Sequence, residues 1–220
     1  MNVRTTEELV DAFAAEISWR RRELSELKRL VETSSDNEVT QAALTRGAVA
    51  LLYAHWEGLV KRLTETYLSF VGLQRLKNSE LSDCMLALII RSRFQEAESA
   101  QKLGPHLRIL EFFRTSMDHR SRLPNKGAFR TESNLSSKVL EEILITVGID
   151  SASYELKFHM IDHGLLAKRN HIAHGQLLDV DEEDYLYLHD EVSSLLTLYR
   201  NDLENAAVTR QFQKDPVAQI

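Results

Sequence analysis

Residues that end helices are scarce in this chain, since its 220 residues include only 8 Gly and 3 Pro. Gly and Pro are the strongest breakers of helical structure, so their scarcity favours long helices. Apolar residues recur at steps of three and four over residues 5–33, and Thr5 with Glu8 forms a capping-box pattern at the start. A second long helix is predicted over residues 38–71. The polar residues 34–37 between the two predict a turn and therefore an antiparallel helical hairpin.

The rest of the chain shows the same helical periodicity. We predict helices over residues 81–103, 106–117, 135–147, 151–174 and 182–206. No stretch alternates as a strand would, so the predicted fold class is all-α: an antiparallel helical bundle with a long N-terminal hairpin, in one domain over residues 1–206. Residues 118–134 are predicted to form an irregular loop, and residues 207–220 a flexible C-terminal tail.

Charge and cysteine content exclude several classes of protein. The 27 basic and 33 acidic residues give a net charge of −6, which argues against a protein that coats nucleic acid. The single cysteine, Cys84, cannot form an internal disulfide, which fits a reducing compartment. The N-terminus lacks the apolar core of a signal peptide, and the longest apolar run, residues 84–90, is too short to cross a bilayer. We expect a soluble, cytoplasmic protein with no membrane partner.

The charges are unevenly distributed along the chain. Residues 102–130 contain seven Lys or Arg against two acids, whereas residues 176–199 contain seven acids and no Lys or Arg. Two solvated surfaces would account for this pattern. The alternative is that the basic segment guides an RNA backbone, with Arg120, Arg122 and Lys126 as the contacts. The sequence leaves both interpretations open.

Residues 169–175, with the sequence RNHIAHG, concentrate the groups that can do chemistry. On a helical wheel for residues 156–174, one face is apolar, and nearly opposite it lies a polar row of His159, His163, Asn170 and His174. Asn170 and His174 are four residues apart and therefore neighbours, whereas Arg169 is displaced from His174 by about 140°. Together they offer a fixed cation, an amide and a titratable imidazole, which suits phosphoryl chemistry.

The spacing of Arg and His alone is a weak signal, because Arg114 and His119 repeat it. Only Arg169 is followed by Asn, and only His174 is followed by Gly, which closes a helix. This context favours the second pair as the candidate site.

Residues 166–175, LAKRNHIAHG, resemble the signature of the HEPN superfamily, particularly its RiboL-PSP and MAE-type single-domain branch. Residues 53–61, YAHWEGLVK, and residues 133–137, SNLSS, support the resemblance, which spans about residues 40–200. The resemblance implies a helical bundle and a metal-independent endoribonuclease that acts as a homodimer. It also implies a place in a toxin–antitoxin, abortive-infection or other antiviral-defence system, with an antitoxin or defence protein as a possible partner.

By the same resemblance, Arg169 and His174 take the catalytic positions and Asn170 the polar position beside the arginine. RNA is then the substrate, its product ends in a 2′,3′-cyclic phosphate, and no cofactor is expected. The alternative is a catalytically inactive HEPN module that binds nucleotide, RNA or a protein partner. A plain helical scaffold is the third interpretation.

Three further residues are predicted to support the site. Glu57 lies on an otherwise apolar helix face, so it either pairs with an arginine such as Arg169 or is exposed beside the apolar seam. His163 is four residues from His159, a spacing that would suit a metal ion, and His171 with His174 could join them as ligands. No carboxylate shares their side of the wheel, so we predict no metal site.

Overall fold

The structure, a computed structural model, is all-α and describes residues 3–34, 37–124 and 134–214. Its α-helices are α1 Thr6–Thr33, α2 Glu38–Leu73, α3 Asp83–Glu98, α4 Gly104–Thr115, α5 Ser137–Val147, α6 Ala152–His159, α7 Ala167–Ala173 and α8 Glu182–Val208. A 3₁₀ turn, Asn78–Glu80, precedes α3, and a π-helical segment, Met160–Leu166, joins α6 to α7. The all-α fold class is confirmed.

The long N-terminal hairpin begins as its capping residues predict. The Thr5 hydroxyl accepts a hydrogen bond from the Glu8 amide at 3.1 Å, and the Glu8 carboxylate accepts one from the Thr5 amide at 3.2 Å. The Asn37 side chain accepts from the Thr40 amide at 3.0 Å and so caps α2. These bonds satisfy amides that the first turn of a helix leaves without partners. Both helix starts are therefore encoded locally.

The core of the bundle lies where α1, α2 and α8 pack together. Phe13 of α1, Trp56 of α2 and Tyr199 of α8 are all less than 2 % exposed, and the last two rings meet edge to face with centroids 6.3 Å apart. The π-helical segment, α7 and α5 pack on α2 as well. Helix α2 is consequently the central element against which the rest of the domain is positioned.

The predicted helix over residues 151–174 is helical from Ala152 to Ala173, but it contains a π-helical segment that the sequence did not indicate. The structure divides it into α6, the π-helical segment and α7. Gly164 lies in the π-helical segment, and a Cβ atom there would lie 3.3 Å from Leu188 Cδ2, so the close approach of α8 favours glycine. A wheel drawn at 100° per residue does not hold across a π-helical turn, because such a turn contains more than 3.6 residues.

The C-terminal residues 207–214 also differ from the sequence prediction of a flexible tail. Helix α8 extends to Val208, and Phe212 is buried with its ring centroid 5.9 Å from that of Phe70. The Phe212 carbonyl accepts from the Ser82 amide at 2.9 Å, and the Lys214 amide donates to the Glu80 carbonyl at 2.9 Å. Burial of one aromatic ring therefore holds these residues on the domain. Residues 215–220 lie outside the described part of the chain.

The buried histidine of α2 predicts a pH dependence of stability. His55 is 6 % exposed, and burial lowers its pKa from the ordinary 6.5, with Arg20 acting in the same direction and Glu23, 3.1 Å away, opposing them. The unfolded chain therefore binds a proton more readily than the folded chain, so the free energy of unfolding falls as the pH drops below 6.5. We expect urea titrations to show that the free energy of unfolding falls more steeply towards acid pH for the wild type than for His55→Gln. The difference between the two slopes should be at most about 1.4 kcal/mol per pH unit. Equal slopes would contradict this assignment.

Candidate active site

Helix α7 places the sequence motif at the surface of α2. His174 ends the helix, and Gly175 adopts a φ of 69°, in the left-handed region that favours glycine. The Gly175 amide donates to the Ile172 carbonyl and the Gln176 amide to the His171 carbonyl, both at 3.0 Å. The turn so formed closes the helix directly after the last histidine.

The guanidinium of Arg169 is held from several directions. Its Cζ atom lies 4.4 Å from the centroid of the Tyr53 ring. Its Nη1 donates to the side-chain oxygens of Asn134 and Asn170 at 3.0 and 2.8 Å. Its Nη2 lies 3.9 Å from Glu57 Oε2. Since a planar guanidinium both stacks on an aromatic face and donates in its own plane, these contacts fix its orientation.

Tyr53 holds two parts of the site together. Its ring, 1 % exposed, supports the guanidinium, and its hydroxyl accepts a hydrogen bond from the Leu135 amide at 2.5 Å. Burial raises the pKa of Tyr53, so the hydroxyl stays neutral. The sequence analysis assigned no individual role in the site to Tyr53 or Asn134. The signal for both residues was their presence in the two supporting segments of the family resemblance.

Glu57 is placed beside the arginine, the first of the two alternatives that its sequence position allowed. Its side chain is 13 % exposed, and its Oε1 accepts from Lys61 Nζ at 2.9 Å while Oε2 faces Arg169. Two cations therefore share one carboxylate.

The other motif side chains point to the solvent side of α7. His174 is exposed, and its imidazole makes no hydrogen bond or ion pair with the rest of the described chain. The oxygen of the Asn170 amide accepts from Arg169, which leaves its NH₂ group as the donor for another molecule. His171 Nδ1 lies 2.8 Å from the Ala167 carbonyl, which can only accept, so Nδ1 carries the proton. An oriented cation, an amide and an open imidazole thus occupy one short helix.

A known protein family matches most of the chain. Residues 9–212 match the family described as HEPN_MAE_28990-like HEPN. The chain belongs to this HEPN family. No curated protein matches the chain, and no solved structure matches it either. The HEPN match covers the whole candidate site and supports a nuclease-like or RNA-related function.

In this HEPN chain, His163 forms a pair separate from the arginine. The rings of His159 and His163 are both exposed, with centroids 4.8 Å apart. Within the described ranges, no group of three or more His, Cys, Asp or Glu is arranged to hold a metal ion. Asp162, which lies between the two histidines in the chain, accepts from the amide and the hydroxyl of Ser137, at 2.7 and 2.5 Å. Asp162 thereby attaches the π-helical segment to the start of α5.

The predicted RNA-guiding residues lie at another end of the HEPN domain. Arg120 and Arg122 line a cavity beside Gly72, near the C-terminal end of α2. Gly72 is 19 residues beyond Tyr53 on the same helix, a distance of about 28 Å along the axis. Lys126 lies outside the described residues. No helix of the described ranges is long and apolar enough to cross a membrane.

The attachment of the π-helical segment gives a prediction for stability. Asp162→Asn removes a charge-assisted acceptor from the first turn of α5, so we expect the free energy of unfolding to fall by about 1–2 kcal/mol. Urea denaturation followed by circular dichroism measures it. Asp11→Asn, an exposed position on α1, is the matched control and should change stability by less than about 0.5 kcal/mol. An equal effect of the two substitutions would refute the anchoring role.

Proposed function

We propose that this HEPN protein is an endoribonuclease that needs no metal ion and cleaves RNA by attack of a ribose 2′-oxygen on the adjacent phosphodiester. The observation that carries the proposal is the orientation of Arg169 on the Tyr53 ring, in a helix that ends at the open imidazole of His174. A cation that is fixed before the substrate arrives stabilises developing charge without a cost of reorganisation.

In the proposed reaction, His174 takes the proton of the 2′-hydroxyl. The 2′-oxygen then forms a bond to phosphorus, and the bond from phosphorus to the 5′-oxygen of the next nucleotide breaks. That 5′-oxygen takes up a proton from water or from the second imidazole of the dimer proposed below, so the products are a 2′,3′-cyclic phosphate and a 5′-hydroxyl. Arg169 stabilises the negative charge of the phosphorane-like transition state, and the Asn170 NH₂ group donates to a phosphate oxygen. DNA lacks the attacking hydroxyl and is inert.

The contacts and exposure of Arg169 support this assignment. Two of its contacts are neutral amide oxygens, and the Glu57 carboxylate near it is shared with Lys61. The side chain of Arg169 remains 25 % exposed. An oriented, partly accessible guanidinium suits the recognition of a phosphate.

We further propose that the active unit is a homodimer with a shared cleft. Cleavage through a cyclic phosphate benefits from a base and a separate acid, whereas each chain offers one imidazole at the end of α7. The chain on either side of α7 carries Leu156 and Leu177, which are 93 % and 91 % exposed. A twofold axis beside α7 would cover apolar surface and bring two Arg169–His174 pairs together.

The cellular setting that we propose is a cytoplasmic toxin or antiviral-defence effector, restrained by a partner protein until it is needed. This part rests on the resemblance to HEPN nucleases of such systems. A catalytically inactive HEPN module that binds nucleotide, RNA or a protein partner is the competing function, and the first experiment below separates the two.

Cleavage of mixed RNA in the presence of EDTA tests the site. We expect Arg169→Ala and His174→Ala each to lower the rate by about 10²–10⁴-fold, because each removes a group that acts in the transition state. His119→Ala is the matched control, since Arg114 and His119 repeat the same spacing elsewhere, and it should keep most of the activity. Equal cleavage by the wild type and both site variants would identify a contaminant. Absence of cleavage by purified wild-type protein would favour the binding module.

A linked dimer tests the shared cleft. One subunit is wild type and the other carries both Arg169→Ala and His174→Ala. Two independent sites would leave about half of the wild-type activity, whereas one composite site should lose tenfold or more, the usual effect of removing a proton-transfer group. Half activity, or a fully active monomer in sedimentation, would contradict the shared cleft.

A further inference from the structure

A cavity of about 1030 Å³ lies at the end of the domain away from α7. It is bounded by the C-terminal end of α2, by α3 and α4, and by residues 116–123. Three arginines contribute to its lining, namely Arg93, Arg120 and Arg122. The apolar side chains of Leu68, Leu73 and Ile89 line it as well. The cavity therefore offers both cationic and apolar surface to a ligand.

The irregular wall of the cavity is tied to the domain by its backbone. The Asn78 amide donates to the His119 carbonyl at 3.0 Å, and the Ser121 amide donates to the Leu76 carbonyl at 2.8 Å. The Asn78 side-chain amide donates to the Ser116 carbonyl at 2.8 Å. Residues 116–121 thus hold a fixed path without being helical. Side chains on this wall start from fixed backbone positions, which lowers the entropic cost of binding a ligand.

Within the described ranges, the three arginines of the cavity form no ion pair with a carboxylate. Arg120 and Arg122 form no ion pair with any part of the chain that the structure describes. Arg93 lies over the Phe112 ring, 4.7 Å from its centroid, and donates to the Ile89 carbonyl rather than to a carboxylate. The acid in the lining, Asp118, pairs with Lys77 at 3.3 Å. The cavity is therefore a local cationic site in an acidic protein.

Two buried polar atoms of the lining also lack partners. Asn78 is 5 % and Ser121 is 3 % exposed, and within the described residues neither Asn78 Oδ1 nor Ser121 Oγ has a hydrogen-bond partner. Buried polar groups are normally hydrogen-bonded, so unpaired ones beside a cavity indicate a place for a polar ligand. A hydroxyl can donate to a phosphate oxygen, and an amide oxygen can accept from a ligand hydroxyl or amine.

We propose that this cavity binds a small phosphorylated organic molecule, at a second site distinct from the motif on α7. The phosphate groups contact Arg93, Arg120 and Arg122, because guanidinium groups match phosphate oxygens in pairs. The organic part of the ligand packs on the apolar lining. Ligand cavities have volumes of about 300–1,000 Å³, and this one reaches the upper end of that range, which is enough for a nucleotide-sized molecule.

The lining of the site favours a small molecule over an RNA strand. Single-stranded nucleic acid binds in open basic grooves where exposed aromatic rings stack on the bases. The rings in this lining are Phe112, which is 6 % exposed and already carries Arg93 on its face, and the exposed imidazole of His119. A single exposed imidazole does not form the row of rings on which successive bases of a strand stack. Arg120 and Arg122 of the basic segment are accordingly assigned to a ligand cavity rather than to an RNA path.

Titration calorimetry with ATP and with inorganic pyrophosphate tests the proposal. The wild type should bind, and Arg120→Gln/Arg122→Gln should bind at least tenfold more weakly, because two charge-assisted contacts are lost. Pyrophosphate that binds as well as ATP would show that the phosphates suffice, and tighter binding of ATP would show that the organic part contributes. The control is Arg22→Gln/Lys138→Gln, which removes the same charge from two exposed positions elsewhere and should bind as the wild type does.

The same titration is repeated with His174→Ala and with a short oligoribonucleotide. His174→Ala should bind ATP like the wild type, which separates this cavity from the proposed nuclease site. Lack of binding of both phosphate probes to the wild type, or unchanged binding to the arginine double variant, would overturn the proposal. If Arg120→Gln/Arg122→Gln weakens the binding of the oligoribonucleotide but not that of ATP or pyrophosphate, the proposal is wrong and the two arginines belong to an RNA path. Thermal denaturation shows that each variant is folded, and Arg122→Gln alone serves as a milder variant.

Discussion

The contact between the Tyr53 ring and the Arg169 guanidinium determines the organisation of the candidate site. The ring belongs to the central helix α2, the guanidinium to α7, and the tyrosine hydroxyl accepts from the Leu135 amide before α5. One buried side chain therefore sets the relative positions of three helices. Because burial raises the pKa of the Tyr53 hydroxyl and keeps it neutral, the tyrosine itself adds no negative charge beside the arginine. The proposed chemistry depends on this fixed cation more than on any other feature.

The features of the fold that depend on local sequence are the ones that the sequence predicts. The capping box at Thr5, the cap at Asn37 and the apolar periodicity of the long hairpin all involve residues within a turn of each other. The π-helical segment Met160–Leu166 and the burial of Phe212 depend on distant partners. The π-helical segment packs against α8, and Phe212 packs against α2. The periodicity of the sequence does not indicate such contacts.

In the candidate site, too, some residues can be predicted from the local sequence and others cannot. Arg169, Asn170 and His174 are recognisable because their types and spacing lie within seven residues and resemble a family signature. Asn134 lies 35 residues earlier and comes into contact only through the fold. The place of Glu57 beside the arginine was one of two alternatives, since a helix seam does not show which neighbour approaches it. The cationic cavity near the end of α2 likewise arises from segments that the sequence shows only as an excess of basic residues.

The most direct measurement uses an RNA oligonucleotide with a single strong cleavage position and its copy with one 2′-deoxynucleotide on the 5′ side of that bond. Mass spectrometry identifies the product ends. The account predicts that the all-ribose RNA yields a 2′,3′-cyclic phosphate and a 5′-hydroxyl, and that the copy is not cut at that bond. Cleavage of the copy at an equal rate, or a 5′-phosphate on the product, would contradict attack by the 2′-oxygen and the roles assigned to Arg169 and His174.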